Sequence, residues 1–169
     1  SYLKDAPIAV LGAGAVGKTV AADCKLAGRE VRLYSRSPKS LAHIDKTGIL
    51  LDGIQRNLYG FERSGKARPD VVTSDMAEAV KGARIIVLSV PALSHEEYIR
   101  TLVPLLEDGM VIHTFTDNYA SLLIRKYMRE TGVDRDVIVG GWSSAPYGTR
   151  IEKIFGFWTN HVGIKYRAI

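Results

Sequence analysis

Three glycines near the start of the chain have the type and spacing needed to hold phosphate groups. They lie in Gly12-Ala13-Gly14-Ala15-Val16-Gly17, directly after the apolar run Ile8-Ala9-Val10-Leu11 and before a segment with helical periodicity. In this context the first glycine permits a tight turn, the second lets a pyrophosphate approach the backbone, and the third allows close helix–strand packing. The following helix directs N–H groups and its positive dipole end at the phosphates. The pattern predicts a dinucleotide site.

The residues that would contact the ribose of such a dinucleotide follow the second predicted strand, Val31-Arg32-Leu33-Tyr34. An Asp or Glu at this place bonds to the ribose hydroxyls of NAD and repels a 2′-phosphate. This chain has Ser35-Arg36-Ser37 instead, with Lys39 nearby. A hydroxyl and cations favour a phosphate through charge-assisted hydrogen bonds. The sequence therefore favours NADP(H). The alternative, in which Arg36 stacks on the adenine or is solvated and both NADP(H) and NAD(H) bind, stays open.

Length and composition describe one ordinary globular domain over residues 1–169. The chain is 46% hydrophobic and 24% charged, which suffices for a sizeable core. Its net charge of +5 is spread over helices and loops, and a phosphate-bearing cofactor accounts for that surplus without nucleic acid. No apolar stretch approaches the roughly 20 residues that span a bilayer, and the first residues lack a signal-peptide pattern. We therefore predict a cytoplasmic protein with neither nucleic-acid nor membrane partners.

Strands alternate with helices along the chain, as in a parallel sheet covered on both faces. Residues 48–67 depart from this alternation, because an apolar strand meets an Asp52-Gly53 turn and continues through Leu58, Tyr59 and Phe61, as a hairpin would. We therefore predict a Rossmann-type α/β fold, a doubly wound parallel sheet with a hairpin insertion. The predicted strands are 7–11, 31–34, 70–73, 84–90, 110–115, 137–140 and an edge strand at 162–166; the predicted helices are 15–27, 38–46, 75–81, 95–106 and 117–130.

Three local signals refine the helices. Gly28 predicts a left-handed end to the first helix, whose buried face includes Cys24. Ser94-His95-Glu96-Glu97 has the pattern of a capping box, in which Ser94 caps the helix and Glu97 reaches back to it. Pro104 predicts a kink or break near the end of that helix.

Three segments make the chain similar to the coenzyme domain of the opine dehydrogenases, the octopine and nopaline dehydrogenase family. They are Val10-Leu11-Gly12-Ala13-Gly14-Ala15-Val16-Gly17, Val90-Pro91-Ala92-Leu93-Ser94-His95-Glu96-Glu97-Tyr98 and Ser144-Ala145-Pro146-Tyr147-Gly148-Thr149-Arg150-Ile151. Many dehydrogenases share the first segment, whereas the other two are more particular. The chain departs from many relatives in two places. Thr116-Asp117-Asn118-Tyr119 replaces a glycine-rich turn, and Thr149 stands where many carry cysteine.

The resemblance implies an NAD(P)H-dependent reductive condensation of an amino acid with a 2-oxo acid, giving an opine. Such hydride transfer needs a proton donor, cations that hold carboxylates and a cleft that excludes water. The resemblance also implies that the proton-handling His and Asp lie largely in a second, helical domain, for which 169 residues leave no room. We therefore expect a coenzyme-binding fragment that holds the cofactor and catalyses poorly.

Two other kinds of function remain alternatives. Ketopantoate reductases and glycerol-3-phosphate dehydrogenases share the wider architecture, and the residues of a second domain would distinguish them. A non-enzymatic dinucleotide-sensing module is the other alternative, and a full-length product ending near Ile169 would indicate it.

His95 is the one weak catalytic candidate among the four histidines. It matches the family motif at the mouth of the cleft, but a helix N-terminus lowers the proton affinity of a histidine, which favours a structural or cofactor-orienting role. His43 is expected to be solvated and His113 hydrogen-bonded within a strand, while His161 has no assignment. Arg150 is a candidate carboxylate clamp or an ion pair at the junction to the second domain. No cluster has metal-ligand spacing, so no metal is predicted.

The substrates implied are an amino acid and a 2-oxo acid of unidentified type, and the oligomeric state stays open, a homodimer being one option. The remaining catalytic residues are unknown. The expected contacts to the dinucleotide are Gly12, Ala13, Gly14, Ala15, Val16 and Gly17 in the turn, Ser35, Arg36 and Lys39 at the ribose, and Val90, Pro91 and Ala92 after the strand at 84–90.

Overall fold

The computed structural model describes residues 3–53, 63–154 and 157–164. Within these ranges strands and helices alternate as the sequence predicts, apart from runs of successive strands at residues 49–73 and 138–164. The strands are β1 (Ile8–Leu11), β2 (Val31–Tyr34), β3 (Ile49–Gly53), β4 (Gly65–Ala67), β5 (Val71–Thr73), β6 (Ile85–Leu88), β7 (Val111–Phe115), β8 (Ile138–Trp142), β9 (Tyr147–Ile154) and β10 (Phe157–Ile164). The helices are α1 (Ala15–Leu26), α2 (Pro38–Thr47), α3 (Met76–Val80), α4 (His95–Leu102) and α5 (Ala120–Thr131), with 3₁₀ turns at Ala92–Ser94 and Val103–Leu105.

A six-stranded sheet in the order β5-β2-β1-β6-β7-β8 forms the centre of the fold, and its strand pairs are parallel. The apolar strand β1 is buried along its whole length. Ala9 and Leu11 pack into the core on one face of the sheet, whereas Ile8 and Val10 pack into the core on the other. Since successive side chains of a strand point to opposite faces, both faces are covered. The predicted doubly wound Rossmann-type sheet is confirmed.

The hairpin insertion expected around residues 48–67 is confirmed by the antiparallel pair of β3 and β4, and this pair belongs to a second sheet of four strands in the order β4-β3-β10-β9. Strand β3 pairs antiparallel with β4 and parallel with β10. The predicted turn at Asp52-Gly53 is wrong, because both residues continue β3 and stand opposite His161 and Val162. The expected second arm through Leu58, Tyr59 and Phe61 lies outside the described residues.

The predicted edge strand at residues 162–166 is also corrected. Strand β10 begins earlier, at Phe157, and lies inside the second sheet between β3 and β9, while residues 165–169 lie outside the described part. Strand β9, which the sequence did not predict, pairs with β10 along its whole length. His161, left without an assignment, lies in β10 opposite Arg150.

Several helix ends follow their local signals. Gly28 has a φ of +81° after α1, as a left-handed end requires. The helix that begins at His95 breaks into a 3₁₀ turn at Val103–Leu105, where Pro104 cannot continue the α-helical bonding. The next helix, α5, begins at Ala120 rather than at Asp117, because Tyr119 is left-handed with a φ of +66°. Among the described residues, none of the helices is both long and apolar enough to cross a membrane.

Candidate functional site

The glycine turn between β1 and α1 is held tightly against the sheet. Gly12 has a φ of +119°, and its N–H donates to the Tyr34 carbonyl at 2.9 Å. A Cβ atom on Gly12 would lie 2.3 Å from the Ser89 carbonyl oxygen, and one on Gly17 only 1.8 Å from the Gly12 carbonyl oxygen. Real contacts of this kind do not occur, so packing alone requires glycine at both positions.

Gly14, the middle glycine, differs from its neighbours. A Cβ atom there would meet no atom of the described residues within 4 Å, and the backbone, at φ −76° and ψ −170°, suits any residue. Gly14 is the N-cap of α1, provides no side-chain cap, and is followed by no acidic residue in the first turn. A helix start without a side-chain cap presents N–H groups and positive partial charge to an anion. The residues present therefore fit the pyrophosphate of a dinucleotide.

The predicted ribose contacts come together at the carboxyl end of β2. Ser35 is 5% exposed, and its hydroxyl oxygen accepts a hydrogen bond from the Ser37 N–H at 3.3 Å. Arg36 is exposed, and its guanidinium donates to the carboxylate of Glu97 on α4 and, at 3.5 Å, to the Ser94 hydroxyl. Lys39 lies exposed in the first turn of α2. Both cations predicted to favour a 2′-phosphate are thus exposed shortly after β2, and Arg36 already has an anionic partner.

The pairing of Arg36 with Glu97 corrects the predicted capping box. Ser94 belongs to the preceding 3₁₀ turn and has a helical backbone, at φ −100° and ψ −5°, and its side chain makes no capping bond. A capping residue normally has an extended backbone, which points its hydroxyl at the next N–H groups. Glu97 bonds instead to an arginine 61 residues away in sequence.

The segment after β6 carries the other predicted contacts. Val90 is half-buried, and Pro91 and Ala92 are exposed at the carboxyl edge of the sheet. His95 is only 3% exposed, and its Nε2 lies 3.1 Å from the Val90 carbonyl oxygen. A buried ring bonded to the backbone of this segment holds the segment in place, which agrees with a structural or orienting role.

A groove of about 580 Å³ opens beside this segment, between the N-terminal ends of α4 and α5. Leu93, Tyr119 and Leu122 contribute apolar surface that is 100%, 78% and 66% exposed. Lys126 and Arg129 add two cations, and Glu96 adds a carboxylate that accepts from the Tyr127 hydroxyl at 2.7 Å. In open parallel sheets, ligands bind outside the carboxyl ends of the strands. The groove is lined by Ala92, Leu93, His95, Glu96, Asn118, Tyr119, Leu122, Leu123, Lys126 and Arg129.

Asp117 organises the loop after β7 that forms one wall of the groove. Its carboxylate accepts from the Thr114 hydroxyl at 2.6 Å and from the Ser121 N–H and hydroxyl, each at 2.8 Å. Burial acts to raise the pKa of Asp117, but the hydrogen bonds from Thr114 and Ser121 outweigh it, so that the pKa lies below its ordinary value. A carboxylate thus holds together the loop that stands where the resemblance led us to expect a glycine-rich turn.

We expect Asp117→Ala to lower the free energy of unfolding by about 2 kcal/mol at pH 7, because charge-assisted hydrogen bonds are lost. Because the pKa of Asp117 is lower in the folded than in the unfolded chain, its carboxylate stabilises the fold at pH values above the unfolded-state pKa. That contribution is lost as the pH falls through the folded-state pKa. The difference from wild type should therefore shrink below about pH 4. Urea unfolding at several pH values measures it, with Asp117→Asn, which keeps an acceptor oxygen, as the control. A difference that stays constant down to about pH 2 would contradict this role.

His113 and His43 are both half-buried, but they have different hydrogen-bond partners. His113 is half-buried in β7, and its Nδ1 accepts from the Trp142 indole N–H at 3.1 Å, which confirms a hydrogen-bonded strand position. His43 was expected to be solvated, but it is half-buried, and its Nε2 lies 3.2 Å from Nζ of Lys18. Lys18 is only 6% exposed, and burial lowers its pKa. The sequence did not indicate this pair, because α1 and α2 meet only in the folded chain.

The third motif lies on β9, in the second sheet. The Thr149 hydroxyl lies 2.7 Å from that of Thr19 in α1, and the Tyr147 hydroxyl donates to Asp23 at 2.8 Å. Arg150 is exposed and is not among the residues that line the groove. The motif therefore attaches the second sheet to α1.

Cys24 on the same helix is partly buried, as expected, and burial raises the pKa of its thiol to about 11. Across the described ranges, His, Cys, Asp and Glu form no group of three or more suited to a metal ion.

Comparison with known proteins supports the dinucleotide interpretation of this site. The chain is 30% identical over 146 residues to an opine dehydrogenase of Arthrobacter sp. strain 1C, which covers 86% of this chain and 39% of that protein. It is 34% identical over 142 residues to a glycerol-3-phosphate dehydrogenase [NAD(P)+] of Moorella thermoacetica. That alignment covers 82% of this chain and 40% of that protein. The chain thus spans about two fifths of the length of these relatives.

A solved structure of octopine dehydrogenase with NADH and L-arginine has the same fold. It superposes with a TM-score of 0.76 at 24% identity, covering 95% of this chain and 40% of that one. The model of the ketopantoate reductase PanE/ApbA family matches residues 8–122, from β1 into α5. With the expected resemblance to opine dehydrogenases confirmed, the chain belongs to the ketopantoate reductase PanE/ApbA family of oxidoreductases.

Proposed function

We propose that this chain is the coenzyme-binding part of an NADP(H)-dependent oxidoreductase of the opine dehydrogenase type. In the proposed reaction an amino acid and a 2-oxo acid condense with loss of water to an imine. NADPH supplies a hydride to the imine carbon, and the nitrogen takes a proton. The products are a secondary-amine dicarboxylic acid, NADP⁺ and water, so atoms and electrons balance.

The observation that carries the proposal is the open position at Gly14. Gly12 and Gly17 are glycine because protein atoms leave no room for a side chain, but within the described part of the chain no atom lies within 4 Å of where a Cβ of Gly14 would be. A glycine that the described part of the fold does not need, at the uncapped start of a helix, is suited to the close approach of a pyrophosphate.

The preference for NADP(H) rests on the end of β2. The first residues after Tyr34 are a buried serine and an exposed arginine, with Lys39 in the following turn and no carboxylate among them. Arginine binds phosphate through paired, charge-assisted hydrogen bonds that a neutral ribose hydroxyl cannot match.

The opine-type reaction is supported by the motif around His95, by the Arthrobacter relative and by the groove. Apolar surface with two cations suits substrates that carry carboxylates together with side chains of mixed polarity. His95 would hold the segment at Val90, Pro91 and Ala92 beside the nicotinamide, while Arg150 remains a proposed carboxylate contact. As the resemblance implies, the proton donor is proposed to come from outside the part of the relatives that this chain matches, which is about two fifths of their length.

Reduction of a phosphorylated ketone is the second candidate function, because the Moorella relative is a glycerol-3-phosphate dehydrogenase. Incubating the complete protein with NADPH and either an amino acid with a 2-oxo acid or a phosphorylated hydroxyketone distinguishes the two. Oxidation of NADPH with only the phosphorylated ketone would overturn the opine-type proposal.

Arg36→Asp provides a direct test of the cofactor preference. We expect wild type to bind NADPH at least about tenfold more tightly than NADH, a difference of about 1.4 kcal/mol, and the variant to reverse that order. An aspartate would repel the 2′-phosphate and accept hydrogen bonds from ribose hydroxyls. Calorimetry, or quenching of Trp142 fluorescence, measures both affinities.

Arg125→Asp, which makes the same charge change on the exposed side of α5, serves as the control. Equal or tighter binding of NADH to wild type would refute the NADP(H) preference. Failure of both cofactors to bind would refute the dinucleotide proposal for this chain.

A further inference from the structure

The ion pair between Arg36 and Glu97 connects two elements that border the predicted adenosine site. Arg36 follows β2 at the carboxyl edge of the sheet, and Glu97 lies in the first turn of α4. The guanidinium donates to the Glu97 carboxylate through one nitrogen and to the Ser94 hydroxyl through the other. The two side chains are 50% and 59% exposed, so both are within reach of a ligand from solvent.

The backbone beneath this pair is held in place from the same two elements. The Arg36 N–H donates to the Tyr98 hydroxyl at 3.4 Å, and the rings of Tyr34 and Tyr98 meet edge to face at a centroid distance of 5.5 Å. Both tyrosines are buried, at 7% and 5% exposure. The base of Arg36 is therefore fixed, while its guanidinium remains free to exchange one anionic partner for another.

The pair contributes little to folding. Ion pairs between exposed side chains are worth about 0 to 1 kcal/mol, because water and ions screen them. A carboxylate at this place has a larger effect on a ligand. A 2′-phosphate must displace Glu97 from Arg36 and then lie near a charge of its own sign, whereas a ribose hydroxyl leaves the pair intact.

We infer that Glu97 is a specificity-determining residue that opposes the 2′-phosphate by competing with it for Arg36. This inference rests on the proposed dinucleotide function and deepens it. Arg36 alone favours NADP(H), Glu97 reduces that preference, and the balance of the two sets the selectivity of the site.

Glu97→Gln tests this inference, since it keeps the shape of the side chain and removes its charge. We expect NADPH and 2′,5′-ADP to bind about five- to tenfold more tightly to the variant. NADH and 5′-AMP, which lack the 2′-phosphate, should change by less than about twofold. Calorimetry with all four ligands measures the effect, and the two adenosine fragments report on this end of the site alone.

Glu107→Gln is the matched control. Glu107 also pairs with an arginine, Arg84, at 3.7 Å, but it precedes β7 at the opposite edge of the sheet. The variant makes the same change in net charge and should alter all four affinities by less than about twofold, because distant surface charges are screened.

Repeating the Glu97→Gln test in a protein that carries Arg36→Met separates competition for Arg36 from direct repulsion between Glu97 and the 2′-phosphate. In Arg36→Met, the gain from Glu97→Gln should fall below about twofold, since no guanidinium remains to be released. An equal gain in both backgrounds, or no gain with wild-type Arg36, would overturn the inference while leaving dinucleotide binding established. If none of the four ligands binds to wild type or to Glu97→Gln, the inference and the proposed function both fail.

Discussion

Gly14→Ala is expected to weaken dinucleotide binding by at least about thirtyfold, roughly 2 kcal/mol, while the fold keeps its stability. The added methyl group meets no atom within 4 Å in the ranges that the structure describes, and the backbone conformation is open to alanine. The free energy of unfolding should therefore change by less than about 1 kcal/mol. A pyrophosphate bonded to the first N–H groups of α1 would, by contrast, be pushed away from them by the new methyl group.

Calorimetry with NADPH and urea unfolding of the same preparations give the two quantities. Unchanged affinity would remove the main support for the dinucleotide proposal. A loss of stability of about 3 kcal/mol would mean that the turn is packed more tightly around Gly14 than the structure indicates.

Gly17→Ala is expected to have the opposite outcome and to destabilise the protein by at least about 3 kcal/mol. Its Cβ would lie 1.8 Å from the Gly12 carbonyl oxygen and 2.9 Å from the carbon of that carbonyl. Both are backbone atoms of a turn that is bonded to β2, so they cannot move aside as a flexible side chain would. Helix α1 would have to move away from β1, which would open the core between them.

The sign of this effect is informative, because glycine to alanine inside an exposed helix normally stabilises by about 1 kcal/mol. Urea unfolding at low temperature measures the loss, with Gly14→Ala as the matched control three residues earlier in the same turn. An insoluble Gly17→Ala product agrees with the expectation, whereas a soluble variant with wild-type stability would show that the α1–β1 packing tolerates a side chain.

Much of the central sheet could be predicted from short stretches of sequence. The apolar run of β1, the glycines that follow it, the end of α1 at Gly28 and the break at Pro104 each reflect interactions within a few residues. Such interactions depend on the chain itself, so a local pattern is enough to recognise them.

The second sheet could not be predicted in the same way. Asp52-Gly53 resembles a hairpin turn when only its neighbours are considered, yet β10 pairs with it from more than a hundred residues further on. Strand β9 is stabilised by β10 and by contacts such as that between Thr149 and Thr19. Pairing with distant partners overrides local turn preference, because it satisfies backbone groups along the whole strand.

The candidate site shows the same division. By itself, the sequence determined that a glycine turn follows a buried strand and that Ser35 and Arg36 stand where an acid is common. Only the tertiary structure decided which glycines packing requires and which one faces open space, because that depends on how closely the chain after β6 approaches Gly12 and how closely Gly12 approaches Gly17. It also shows, in place of the expected capping box, a pair between Arg36 and Glu97, residues that become neighbours only when β2 and β6 lie on either side of β1 in one sheet.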